Sequence, residues 1–177
     1  IITGGLGYIG TELCKLYSGV SWNNKIIVID NRFISERVNQ IRNWNMEFVH
    51  GDILDKELIN KYCKDADVVH HLAGITDVPR TKNDSNEEND SKIKVVAEEG
   101  TQNILNAISD NCKIIFPSTH VVYEGLEKVQ NEISENEELQ PILSYSKSKA
   151  LNEKQLKISG KNYIILRLGS VYGYSTD

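Results

Sequence analysis

Basic charge, paired cysteines and long apolar runs are all missing from this sequence. Twenty Lys and Arg stand against 25 Asp and Glu, giving a formal net charge of -5. A groove that neutralises nucleic-acid phosphates needs the opposite balance, so no nucleic-acid partner is expected. No run approaches the ~20 apolar residues of a membrane-spanning helix, and no secretory signal is visible, so no membrane partner is expected either. The three cysteines, Cys14, Cys63 and Cys112, are an odd, scattered set without CxxC spacing. They read as reduced, partly buried thiols of a cytoplasmic protein, with no metal site. No internal repeat appears. At 177 residues the chain is one domain, or one domain and the start of another. Only Ile1-Ile2 of apolar strand stands before the glycines, and the end at Asp177 follows closely on a strand, so a partial chain is expected.

What is present begins with Thr3-Gly4-Gly5-Leu6-Gly7-Tyr8-Ile9-Gly10. A glycine-rich strand-to-helix turn lets backbone approach a diphosphate and aims helix amides at its charge. Alone, such a cluster is also an ordinary tight turn. The apolar strand Lys25 to Ile29 then ends in Asp30, near the ~20-residue spacing at which a carboxylate takes adenosine ribose hydroxyls.

Helices and strands alternate from there on. A helix is predicted over Thr11 to Tyr17, a short one over 35–43, and a third strand over Met46 to Val49. Asp55 reads as a helix N-cap, ahead of Leu58 and Ile59. A fourth strand, Ala66 to Leu72, leads into Ala73-Gly74. Thr76 to Lys92 is polar and reads as a solvated loop or frayed helix entry. Val95, Val96, Ile104, Leu105 and Ile108 mark a long helix. A fifth strand over 112–116 runs into Pro117-Ser118-Thr119, and a charged loop covers 124–140. Ser144 to Ile158 is helical, and Tyr163 to Leu168 is a sixth strand. Trp22 and Trp44 are expected to be partly buried. The alternation predicts an α/β fold, a doubly wound parallel sheet with a ligand at the carboxyl ends of its strands.

Tyr145 and Lys149 are four apart on one predicted helix, so both project from one face. A neighbouring ammonium favours the phenolate and brings a tyrosine toward acid–base work on an alcohol or ketone. The same spacing also occurs on plain surface helices. Thr119 supplies a hydroxyl that both donates and accepts, suited to a proton relay, with Ser118 the lesser candidate. The plain reading of Ser118-Thr119 is a strand-end turn bonding its own backbone.

Together these segments resemble the extended short-chain dehydrogenase/reductase superfamily, in its NAD-dependent epimerase/dehydratase branch. TGGLGYIG is similar to the branch's TGGxGxIG fingerprint, and Ile29-Asp30-Asn31 to its ribose-binding strand end. Gly51-Asp52-Ile53 resembles the adenine bracket, and His71-Leu72-Ala73-Gly74 the HLAA cofactor wall. FPSTHVVY (116–123), the YxxxK pair and RLGSVYG (167–173) complete seven segments in the branch's order.

The resemblance implies a Rossmann domain over 1–177, with most of the carboxy-terminal substrate lobe beyond it. It implies NAD held by Gly4, Gly7, Tyr8, Ile9, Gly10, Asp30, Asn31, Asp52, Ile53, Leu72, Ala73, Gly74, Ser118 and Lys149. Asp30 disfavours the 2′-phosphate of NADP, although Arg32 stands close by. Tyr145, Lys149 and Thr119 are the implied catalytic set. The implied activity is a nucleotide-sugar epimerase working by transient oxidation and hydride return, in a homodimer that pairs two helices per subunit. Alternatives are a sugar or hydroxysteroid-type oxidoreductase of the same branch, or a non-catalytic dinucleotide sensor.

The chain also departs from the branch. His120 and Val121 stand where its 4,6-dehydratases carry Asp-Glu and its decarboxylases a Glu, so elimination and decarboxylation are disfavoured. Ser170 and Ala97 each replace a usual asparagine. His120 is a candidate pocket residue whose plainer reading is packing.

Overall fold

The computed structural model describes residues 1–20, 24–76, 86–127 and 132–173. In chain order the elements are β1 (Ile2–Thr3), α1 (Tyr8–Ser18), β2 (Ile27–Asp30), α2 (Ser35–Asn43), β3 (Glu47–His50) and α3 (Lys56–Cys63). Then come β4 (Val68–His71), α4 (Glu87–Ala107), β5 (Lys113–Thr119), a 3-10 turn (His120–Tyr123), α5 (Ser144–Ile158) and β6 (Asn162–Leu168). The strands form one six-stranded sheet in the order β3-β2-β1-β4-β5-β6. Every pairing in it is parallel. The expected doubly wound α/β architecture is therefore present, with the order reversing between β1 and β4.

Strand β2 explains why the sheet is covered twice. Its four residues are all buried, and alternation sends Ile27 and Ile29 to one face and Val28 to the other. Ile27 and Ile29 join the larger core with Ile59 of α3, Ile104 of α4 and Leu156 of α5. Val28 joins a smaller one with Cys14 of α1 and Val38 and Ile41 of α2. Trp44 is half-buried against that second core, as expected, and Trp22 lies outside the described residues. The cysteines are free, and fully rather than partly buried. Burial pushes Cys14 up to about 12 and Cys63 up to about 11, which leaves both as inert thiols.

Three boundaries differ from the sequence expectation by three residues or more, each for a local reason. Helix α1 starts at Tyr8, inside the glycine stretch, because Gly7 already serves as its N-cap. Helix α4 starts at Glu87, well before the end of the stretch expected to be irregular. The Asn86 side chain caps it by accepting from the Glu88 amide at 2.9 Å, and Glu87, Glu88 and Asp90 place negative charge on its first turn. Strand β5 runs on through Ser118 and Thr119, which pair with Arg167 and Leu168 of β6. Pro117 is tolerated there because the β4 pairing ends at Ile115.

Candidate active site

The carboxyl ends of the strands surround a cavity of about 750 Å³. At one end lies the glycine turn. Gly4 has φ +69°, and a Cβ there would meet the Ala73 nitrogen at 2.6 Å, so the turn and the end of β4 touch backbone to backbone. Gly10 packs the first turn of α1 onto the same loop, where a Cβ would stand 2.5 Å from the Gly4 oxygen. No side chain caps α1 at Gly7, so its first amides face the cavity uncapped.

Asp30 ends β2 beneath this turn, with only 5% of its surface exposed. Its Oδ2 accepts from the Leu6 amide at 2.9 Å, and its Oδ1 accepts from the Arg32 amide at 2.9 Å and Arg32 Nε at 3.3 Å. Arg37 of α2 donates to the Leu6 carbonyl, so the glycine loop is pinned from both sides. Asn31 Nδ2 donates to Asp52 Oδ2 at 2.9 Å, and Asp52 Oδ1 accepts from the Leu54 amide. Ile53 is buried beside them, and the Asn103 amide holds its carbonyl at 3.0 Å.

The middle wall is Leu72-Ala73-Gly74. The Ala73 amide donates to Thr3 Oγ1 at 3.3 Å, and Thr3 Oγ1 lies 3.1 Å from His71 Nδ1. On its other side His71 Nε2 is 2.9 Å from Thr101 Oγ1 of α4. Burial, with the Lys149 charge added, pushes His71 down to about 3, so it is neutral at any ordinary pH.

At the far end α5 presents Tyr145 and Lys149 to the cavity, opposite Pro117, Ser118 and Thr119 of β5. Glu124 sets the start of that helix. Its Oε1 accepts from the Ile142 and Leu143 amides at 2.8 Å each and from Ser146 Oγ. Lys149 Nζ donates to the Pro117 carbonyl at 3.0 Å and lies 5.8 Å from the centre of the Tyr145 ring. This differs from the expected electrostatics. Burial pushes the Tyr145 phenol up rather than down, and pushes Lys149 down to about 8. The ammonium is turned onto a carbonyl, not onto the phenol oxygen, so desolvation decides both values.

The two hydroxyls of β5 part company. Ser118 donates to Glu153 Oε1 at 2.6 Å. Thr119 Oγ1 accepts from the Val121 amide at 3.3 Å, the self-capping turn of the plainer reading, while its side chain still borders the cavity. Glu153 lies one turn beyond Lys149, with its side chain fully buried. Arg167 forks onto it, Nε at 3.0 Å and Nη2 at 2.7 Å. Burial works against this carboxylate, but the Arg167 and Ser118 hydrogen bonds outweigh it and hold its pKa below the usual range.

Every expected cofactor and catalytic residue borders this one cavity. His120 does not line it; the residue is exposed, with Nδ1 3.2 Å from the Leu168 carbonyl. Ser170 is exposed and outside the lining too, though its neighbours Gly169 and Val171 are within it. Ala97 contributes only its carbonyl, which accepts from Asn152 of α5 at 2.8 Å. Sequence reasoning missed Glu124 and Glu153. Glu153 had a signal, since it continues the Tyr145–Lys149 spacing by another four residues. Glu124 had none, because its partners lie 18 to 22 residues away. Among the described residues no cluster of His, Cys, Asp or Glu is arranged to hold a metal ion.

Comparison with known proteins now decides the lineage. A model of the NAD dependent epimerase/dehydratase family matches residues 1–177. The chain belongs to that family. It is 34% identical to a putative UDP-glucose 4-epimerase of Methanocaldococcus jannaschii, over 100% of this chain and 57% of that protein. It is 32% identical to the CDP-paratose 2-epimerase of Salmonella typhi, over 98% of this chain and 57% of that protein. The UDP-glucose 4-epimerase of Thermotoga maritima, solved with UDP-glucose, superposes at a TM-score of 0.78, with 26% identity over 99% of this chain and 57% of that one. The Brucella ovis UDP-glucose 4-epimerase, solved with NAD, superposes at 0.74, with 28% identity over 94% of this chain and 50% of that one. The chain thus spans little more than half the length of these relatives.

Proposed function

We propose that residues 1–177 form the NAD-binding domain of a nucleotide-sugar epimerase. One observation carries the reading. A single cavity has an uncapped helix start and a buried carboxylate at one end, and Tyr145, Lys149 and Thr119 at the other. The residues fit a dinucleotide. The cavity is large enough, and Gly7 leaves out a side chain at the helix start where a diphosphate would lie. Asp30 would accept the adenosine ribose hydroxyls, which favours NAD over NADP, and Asp52 and Ile53 would flank adenine. Lys149 would hold the nicotinamide ribose, and Leu72, Ala73 and Gly74 would wall the cofactor in, with Ser118 behind.

NAD, when bound, supplies reversible hydride acceptance. The chain's own residues handle position and protons. As the phenolate, Tyr145 Oη would take the proton of the sugar hydroxyl, with Thr119 bonding the same oxygen; a cation beside the phenol must offset the burial that raises its pKa. Lys149 lies behind the phenol as a positive charge at any pH below about 8. His120 and Val121, neither of them an acid, favour epimerisation over elimination. Helices α4 and α5 pack on one another, and we place the homodimer contact on that pair. A cytoplasmic location belongs to the same reading.

The test is incubation of the full-length protein with catalytic NAD and a panel of UDP-, GDP-, dTDP- and CDP-sugars, following product sugars and NADH together. A changed sugar without net NADH is expected. Stoichiometric NADH would make the protein a dehydrogenase instead, and bound NAD with no turnover a sensor.

A further inference from the structure

We infer that Arg32 is a ligand of the cofactor diphosphate, held on Asp30 until a dinucleotide enters and then turned onto the phosphates over Gly7. The inference rests on the cofactor reading above and adds a residue to it. Asp30 is nearly saturated: Leu6 takes Oδ2, while the Arg32 amide and Arg32 Nε take Oδ1. A ribose needs Oδ1, and the bond that yields is the longest of the three, from Arg32 Nε at 3.3 Å. The Arg32 side chain is 53% exposed, so its ion pair with Asp30 is worth little and its release costs little.

The guanidinium then has a short way to go. Nη2 already lies 3.6 Å from where a Cβ on Gly7 would stand, beside the uncapped start of α1. Neither terminal nitrogen has a hydrogen-bond acceptor among the described residues. Charge balance asks for the same residue. The charged side chains lining the cavity are Asp30, Arg32, Asp52 and Lys149, and Lys149 is committed to Pro117 at the opposite end. Arg32 is therefore the cation available where a ligand with two negative phosphates meets two carboxylates. A guanidinium donating two N–H groups to phosphate oxygens complements the helix amides there.

The experiment is calorimetric titration of NAD, ADP and adenosine into the full-length protein and its Arg32→Gln and Arg32→Lys variants. Loss of a charge-assisted hydrogen bond predicts about tenfold weaker NAD and ADP binding in Arg32→Gln. Adenosine binding, which reports an intact fold and an intact Asp30, should stay within about twofold by the same reasoning. Arg32→Lys should recover most of the loss, and added salt should weaken NAD binding more in the parent than in Arg32→Gln. Unchanged or tighter NAD binding in Arg32→Gln would overturn the inference while leaving the cofactor reading intact. So would an equal loss for adenosine, or a loss confined to NADP. Failure of the parent protein to bind NAD would overturn both.

Discussion

Lys149 and His71 are two buried bases that both favour the fold at higher pH, in different windows. The ammonium of Lys149 is costly in the folded chain, since its pKa falls from 10.5 to about 8. Between those values the unfolded chain binds the proton and the folded chain does not, so stability rises with pH from about 8 upward. Lys149→Met should therefore stabilise the fold at pH 7 by on the order of 2 kcal/mol and flatten that rise, while lowering kcat about 10²-fold or more. Urea unfolding and single-turnover kinetics on the same preparation check both halves. His71 acts with the same sign in a lower window. It stays neutral down to about 3 in the fold but takes up a proton near 6.5 when unfolded, so stability drops as pH falls below 6.5. By pH 5 its contribution should have cost about 2 kcal/mol. A His71→Gln variant should start less stable but show a shallower loss between pH 7 and pH 5 in urea midpoints. An equal slope in the two proteins would assign the acid sensitivity elsewhere.

At the scale of elements, helix α5, which carries Tyr145 and Lys149, is set by a residue outside it. Glu124 satisfies two amides ahead of α5 and the Ser146 hydroxyl, and Leu143 at the N-cap offers no side chain of its own. Glu124→Ala should cost about 1 kcal/mol of stability. It should also lower kcat with little change in NAD affinity, because Tyr145 lies in the first turn of that helix and the glycine turn does not. Asn86→Ala, a comparable cap on α4, should cost a similar ~1 kcal/mol and leave kcat alone, which makes it the control. Element types were legible because period and punctuation agreed: the apolar run Ile26–Ile29 closed by Asp30, the Asp55 cap and the alternation of helix with strand. The start of α4 was not legible, because its acidic first turn has the composition of a solvated loop. Helix-dipole complementarity, not hydrophobicity, makes it helical. The residues that line the cavity were legible through local motifs. The Glu153–Arg167–Ser118 cluster was not, because it joins α5, β6 and β5 and exists only once the sheet has formed.

For the whole molecule, edge strand β6 leaves Ile164 and Leu166 about two-fifths exposed, and α1 leaves Leu16 more exposed still. The relatives are nearly twice as long as this chain, so substrate choice belongs to the full-length protein. If the α4–α5 pair carries the subunit contact, size-exclusion chromatography with light scattering should report a dimer at working concentration. A monomer would remove that part of the proposal. The central claim is that one cavity takes a hydride from a sugar carbon and gives it back. The most direct test is turnover in D2O, with the product epimer read by NMR and mass spectrometry. The account predicts an inverted carbon that carries no solvent deuterium, no accumulated NADH, and loss of turnover in Tyr145→Phe. Deuterium bound to the inverted carbon would mean that a carbon acid is deprotonated and reprotonated, and would contradict transient oxidation.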